Sequence, residues 1–281
     1  MERTVLRRTE SHFSGSRGHS LFRRAWLPAQ PERVLLLVHG FAEHSGRYDH
    51  LGAWFAARGC AVHAYDQQGH GRSTGARGHA RFSDLLDDLG SFLVVVRDEH
   101  PDLPVALLGH SMGGLVVAAF ARERRPQVAC AVTSGAMLAL SDDVSRARIA
   151  AARLLRWVVP RFSLDAGVNP DGLSRDPEVG RAYLADPLVF RRITVLLGAE
   201  LLEAIRRTVS GVADVTLPML LLHGEDDPIT PVESSRAFHR GLPAPQSQLR
   251  TYPKLRHEIF NEPEREAVFR DVFEWVTART G

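Results

Sequence analysis

Pro104-Val-Ala-Leu-Leu-Gly109-His110-Ser111-Met112-Gly113-Gly-Leu115-Val-Val-Ala-Ala-Phe120 is the stretch on which the reading of the chain turns. Apolar residues of strand character run directly into a G-x-S-x-G pattern, and a helical run follows. A serine at such a sharp strand-to-helix turn adopts strained backbone angles that expose its hydroxyl above a sheet. The flanking glycines are needed because side chains there would clash with the neighbouring strand and helix. The helix N-terminus favours negative charge developing beside it. G-x-S-x-G is common by chance. The strand before it and the helix after it make Ser111 a candidate nucleophile rather than part of a glycine-rich turn.

Outward from this stretch the chain repeats the same alternation. Short apolar runs occur at Val34–Val38, Ala61–Tyr65, Pro104–Leu108, Val128–Val132, Pro218–His223 and Gln248–Tyr252. Most are continuously apolar, as expected of parallel strands covered on both faces. Helical spacing appears at Asp84–His100, Met112–Arg124 and Glu264–Arg279. The pattern predicts an α/β fold with a mostly parallel central sheet flanked by helices. Two weaker strands, Thr4–His12 and Leu21–Trp26, predict an antiparallel edge. The alternation lapses between Met137 and Asp214, where the sequence reads as helical throughout, punctuated by proline and glycine. We therefore expect a core in two parts, residues 1–136 and 215–281, with a helical lid, residues 137–214, inserted between them.

Composition excludes several classes. With 281 residues, 44% hydrophobic and 24% charged, the chain can bury a large core and is not a disordered polymer. No apolar run approaches the ~18 residues of a membrane span. The N-terminal stretch lacks the apolar core of a secretory signal, which points to a cytoplasmic location. A net charge of only +2, with arginines interleaved among acids, argues against nucleic-acid partners. Cys60 and Cys130 sit singly in apolar segments and read as buried thiols; no metal-ligand spacing occurs. The sequence carries no signal for oligomeric state.

A serine hydroxyl needs a base. On a strand–elbow–helix scaffold of this kind the chain order is serine, acid, histidine. Of thirteen histidines only His223, His239 and His257 follow Ser111. His223 ends the strand that should carry the acid, and His239 falls in a helix, on a face expected to be exposed. His257, between the last strand and the last helix, is the expected base. The loop Gly224-Glu-Asp-Asp227-Pro228 offers the acid; Asp227 is the first choice and Asp226 the alternative. Backbone N–H groups of Met112, after the nucleophile, and of Phe41, in the Val38-His-Gly-Phe41-Ala42 loop, would form an oxyanion hole.

Taken together, His39-Gly-Phe-Ala-Glu-His-Ser-Gly-Arg-Tyr48, Asp66-Gln-Gln-Gly-His-Gly-Arg-Ser73 and Gly109-His-Ser-Met-Gly113 resemble the monoacylglycerol lipase and lysophospholipase branch of the α/β-hydrolases. Asp186-Pro-Leu-Val189 is similar to a segment of the lids in that branch. The resemblance runs from about Val34 to the C-terminus. It implies a triad of Ser111, Asp227 and His257, with H-G-x-x-D placing the acid at Asp227. It implies no cofactor and a lipid ester as substrate, either a monoacylglycerol or, alternatively, a lysophospholipid or general carboxylic ester.

Three further segments carry two readings each. Glu43 and Arg47 are either a local charge pair at a helix start or contacts to a glycerol head group. Gly69-His-Gly-Arg-Ser-Thr-Gly75 lacks the Lys-Ser/Thr ending of a phosphate loop and reads as a structural turn. Ile149, Leu154, Leu155, Trp157, Val158 and Val159, among Arg146, Arg148, Arg153 and Arg156, either pack on the core or make transient contact with a membrane surface. A haloperoxidase-type or C–C-cleaving hydrolase could use the same triad, and the fold alone does not separate these chemistries. A serine at the elbow excludes an aspartate-nucleophile dehalogenase or epoxide hydrolase. A binding protein on this scaffold would have lost a triad member.

Overall fold

The structure is a computed structural model, and it describes residues 6–139 and 154–281. Its centre is an eight-stranded sheet in the order β1-β2-β4-β3-β5-β6-β9-β10. β1 (Arg7–Ser14) and β2 (Ser20–Leu27) pair antiparallel, and β2 runs antiparallel to β4 (Cys60–Tyr65). From β4 onward, β3 (Arg33–Val38), β5 (Val105–His110), β6 (Cys130–Ser134), β9 (Met219–Gly224) and β10 (Gln248–Tyr252) are all parallel. The expected antiparallel edge and parallel centre are both present. Thr4, the proposed start of β1, lies outside the described residues.

The continuous apolar runs have a simple cause. Successive strand residues point to opposite faces, and here both faces are covered. Val34, Leu36 and Val38 pack into one core, with Leu107 and Leu221; Leu35 and Leu37 pack into the other, with Leu108 and Leu222. The first core is closed by α2 (Phe82–Glu99), α3 (Met112–Glu123) and part of the insertion. The second is closed by α1 (Asp49–Ala56) and the C-terminal helix (Arg265–Thr280).

The stretch between β6 and β9 is not helical throughout, as the sequence suggested. Its described part holds a two-stranded antiparallel ribbon, β7 (Ser163–Asp165) with β8 (Arg192–Thr194), as well as α4 (Pro177–Ala185) and α5 (Val195–Ser210). Three-residue strands leave no alternating pattern to read. Leu197, Leu201 and Ala204 of α5 are buried in the first core. This part of the insertion is therefore packed as firmly as the sheet helices. Among the described residues no helix is long and apolar enough to cross a membrane.

Gly113 sets how closely α3 approaches the sheet. A Cβ there would lie 2.2 Å from the Val38 carbonyl oxygen and 2.4 Å from that of His39. One on Gly109 would lie 2.3 Å from the Gly113 carbonyl oxygen. Gly113→Ala should therefore push α3 off β3, at a cost of about 1–3 kcal/mol. Urea unfolding followed by circular dichroism should register this loss, and an unchanged midpoint would mean that the helix shifts freely.

Candidate active site

Because the central strands are parallel, their carboxyl ends share one edge, and the loops leaving it converge. β3 supplies Gly40 to Arg47, β5 supplies Ser111, β9 supplies Asp227 and β10 supplies His257. Ser111 lies between β5 and α3 with φ 52° and ψ −116°. That conformation is held from both sides. The Ser111 N–H donates to the Ser134 carbonyl at 2.9 Å, and the Ser111 carbonyl accepts from Met137 N–H at 3.1 Å.

His257 Nε2 is 2.9 Å from Ser111 Oγ, and His257 Nδ1 is 2.8 Å from Asp227 Oδ2. The carboxylate keeps the ring proton on Nδ1 and leaves Nε2 to accept from the serine. Asp226 is exposed, whereas the Asp227 side chain is fully buried. Asp227 Oδ1 accepts from the Ile229 and Thr230 N–H groups at 2.8 and 2.9 Å. Its Oδ2 also accepts from the Thr230 hydroxyl at 2.8 Å and lies 3.2 Å from His223 Nε2. Burial alone would raise the Asp227 carboxyl. The His257 charge and the donors from His223, His257 and Thr230 outweigh it and hold the group far below the usual carboxylate range. Burial would likewise lower His257, but the charge and hydrogen bond of Asp227, with Glu258 and Glu43 near by, raise it above 6.5. Neighbouring His110 has no carboxylate partner; burial and the charge of His257 push it down to about 4.

Glu43 and Arg47 both line the cavity above Ser111, and both are engaged within the protein. Glu43 Oε1 accepts from Gly40 N–H at 2.6 Å and from the Tyr48 hydroxyl at 2.7 Å. Its Oε2 accepts from Arg47 at 2.8 Å. Arg47 also grips Glu258 with two bonds of 2.6 and 2.8 Å. Against the penalty of burial, Arg47 and its neighbours hold the Glu43 carboxyl at about 2. Phe41 lies on the same loop and lines the cavity. Met112 is the first residue of α3, where N–H groups have no acceptor within the helix.

Sequence reasoning passed over several residues here. His223, which the sequence marks only as a strand end, is buried with Nε2 3.2 Å from Asp227 Oδ2. Its Nε2–H donates to the Thr230 carbonyl at 2.9 Å and Nδ1 accepts from Ser235 at 2.7 Å. Glu258 and Tyr183 also line the cavity, and no local motif marks either one. His239, expected to be exposed, is half-buried with Nε2 3.3 Å from the Ser247 carbonyl.

The cavity measures about 900 Å³. Its lining includes the apolar Leu155, Leu164, Ile193, Val195, Leu201 and Leu202, and a polar group of Glu43, Arg47, Tyr183 and Glu258 that contact one another. Among the described residues His63, Glu99 and His100 bring metal-capable atoms within 4.8 Å of one another. The two imidazoles are hydrogen-bonded at 3.0 Å and Arg23 already pairs with Glu99, so the contacts are explained without an ion.

The fold and this site define an α/β-hydrolase of the serine type. Residues 29–264 match the family described as serine aminopeptidase, S33, and the chain belongs to that family. It is 36% identical over 274 residues to a monoacylglycerol lipase of Mycolicibacterium smegmatis, covering 96% of this chain and 98% of the relative. It is 34% identical over 248 residues to the phospholipase YtpA of Bacillus subtilis, covering 87% and 95% of the two chains. The crystal structure of a monoacylglycerol lipase from Paleococcus ferrophilus superposes with a TM-score of 0.84 at 34% identity, covering 92% of this chain and 99% of that one.

The raised His257 makes a pH prediction. A histidine acting as a base must be neutral, so with His257 in that role kcat/KM should fall as pH drops through a midpoint above 6.5, the ordinary imidazole value. A profile on a non-ionising ester from pH 5 to 9 measures it; a midpoint below 6.5 would contradict the Asp227 coupling.

Proposed function

We propose that the protein hydrolyses a monoacylglycerol to a fatty acid and glycerol through an acyl-enzyme. The observation that carries the reading is the Ser111–His257–Asp227 hydrogen-bond chain at a cavity lined by both apolar and polar side chains. Ser111 Oγ bonds to the ester carbonyl carbon as its proton passes to His257 Nε2. The carbonyl oxygen becomes an oxyanion facing the N–H groups of Phe41 and Met112. Collapse breaks the bond to the glycerol oxygen, which leaves with the proton from His257. Water then repeats the sequence on the acyl-enzyme and frees the acid. Asp227 holds the tautomer and stabilises the imidazolium. No step calls on a cofactor. The phospholipase relative keeps a lysophospholipid as the second candidate substrate.

In this reading the insertion is a lid that supplies the acyl wall, and Glu43, Arg47, Tyr183 and Glu258 face the glycerol. Leu154, Trp157 and Val158 of the insertion are 70%, 76% and 73% exposed, which supports transient contact with a lipid surface rather than packing on the core. Ile149, Arg146, Arg148 and Arg153, read as parts of the same patch, lie outside the described residues. Cys60 and Cys130, both free and buried, suit a reducing, cytoplasmic setting.

Ser111→Ala should lower turnover of monocaprin by about 10⁴-fold or more while the fold persists. A variant retaining a tenth of wild-type kcat sinks the assignment. Asp227→Asn should be crippling and Asp226→Asn mild; the reverse order would move the acid by one residue.

A second measurement addresses the head group. Glu43→Gln should reduce kcat/KM for monocaprin relative to methyl caprate by a few-fold to about a hundredfold, the range of a lost hydrogen bond to a charged group. An unchanged ratio with a lower melting temperature would make Glu43 purely architectural.

A further inference from the structure

Asp186-Pro-Leu-Val-Phe190 lies between α4 and β8 and packs against the loop that carries Phe41. Three separate contacts tie it there. Asp186 Oδ2 is 2.8 Å from His44 Nε2. The Phe190 N–H donates to the Ala42 carbonyl at 3.2 Å. The Phe190 ring meets the Phe41 ring edge-on at 5.4 Å, with the His70 ring 4.9 Å from Phe190 and 5.8 Å from Phe41.

The chemistry of these contacts is specific. His44 Nδ1 accepts from Gly46 N–H at 3.1 Å, so the ring proton sits on Nε2 and is donated to Asp186. Asp186 Oδ1 accepts from Leu188 N–H at 2.8 Å, which orients the carboxylate. Ala42 has φ 65°, the left-handed region that a residue with a Cβ occupies only when its surroundings hold it there. Phe190 N–H binds the carbonyl of this strained residue, one position after Phe41. The strand that follows the segment is also fastened to the core. Thr194 donates through its N–H and hydroxyl to the Gly78 carbonyl at 3.0 and 2.9 Å. Among the described residues, none from 186 to 190 lines the cavity, so the segment is not a substrate wall.

We propose that Asp186–Phe190 is a strap that positions the oxyanion loop, with Asp186 and Phe190 as positioning residues acting through His44, Ala42 and Phe41. The proposal rests on the reading of Phe41 as an oxyanion donor. A donor helps only if it is in place before charge develops, and a misplacement of about 1 Å can cost up to a hundredfold. The insertion then has two roles. One part encloses the acyl chain, and the strap, bound to the core at Asp186 and Phe190, completes the catalytic machinery.

The test compares wild type with Asp186→Ala, Asp186→Asn and Phe190→Ala. Each is titrated for active sites with a fluorophosphonate. Each is then assayed for kcat and KM on monocaprin, for melting temperature, and for inhibition by an alkyl trifluoromethyl ketone. Ser111 Oγ adds to the ketone carbon, its proton passes to His257, and the ketone oxygen becomes an oxyanion, so the inhibition constant reads the oxyanion hole directly. The alanine variants should lose between about tenfold and a hundredfold in kcat per active site, with KM within about twofold, and the inhibition constant should rise by the same factor. Asp186→Asn, which keeps one acceptor for His44 but turns its amide nitrogen toward the Leu188 N–H, should lose less than the alanine variant. Wild-type kcat and inhibition in both alanine variants overturns the proposal. So does a fall in melting temperature with per-site kcat unchanged, a change confined to KM, or an Asn variant as impaired as Ala. A ketone that fails to inhibit wild type removes the reading of the site itself, and the strap's role with it.

Discussion

Everything at this site depends on one reversal of the backbone. Between β5 and α3 the chain turns from strand to helix at Ser111, in a conformation that costs an ordinary residue on the order of 1–3 kcal/mol. Two hydrogen bonds to the adjoining Ser134 and Met137 hold it. Gly109 and Gly113 permit it, since a side chain at either would strike the backbone of the turn or of β3. The same close approach sets the Phe41 loop beside Ser111. The exposed Ser111 hydroxyl and the Phe41 and Met112 segments beside it thus follow from a single steric constraint rather than from separate ones.

Around that turn, charge is buried in matched sets. Asp227 accepts from backbone, hydroxyl and imidazole donors, and Glu43, Arg47 and Glu258 satisfy one another. Buried ion pairs contribute little net stability, because desolvation offsets most of their attraction. Here they orient loops. Glu43 bonds the Gly40 N–H just before Phe41, and Glu258 binds Arg47 one residue after the base. The same charges sort the histidines. His257, beside a carboxylate, is raised, while His39, His70 and His110 are lowered by burial and stay neutral. Parts of the insertion join this framework too. Gly172 and Leu173 accept hydrogen bonds from the backbone N–H groups of His257 and Glu258.

The strands were legible because burial on both faces demands runs such as Val34–Val38 and Met219–Leu222, and few other structures need them. The strained turn at Ser111 was legible because it requires glycine at fixed offsets, and the position of His257 because chain order left few candidates. The β7–β8 ribbon was not legible, because three-residue strands have no period to detect. The roles of His223 and Glu258 were equally hidden. Each bonds across the site to a residue from another loop, and no local pattern records that.

The sequence by itself determined the sheet, the elbow and the identity of the residues that meet there, since local sterics and hydrophobic period act over a few residues. Only the tertiary structure decided how the loop buries the Asp227 side chain against His257 and leaves Asp226 exposed, because that depends on the direction in which the loop turns its side chains. It also decided that Glu43 and Arg47 are engaged with Gly40, Tyr48 and Glu258, and that Asp186 and Phe190 bear on a loop more than a hundred residues earlier in the chain. Those contacts arise where separately folded segments pack, and their geometry is written in no single segment.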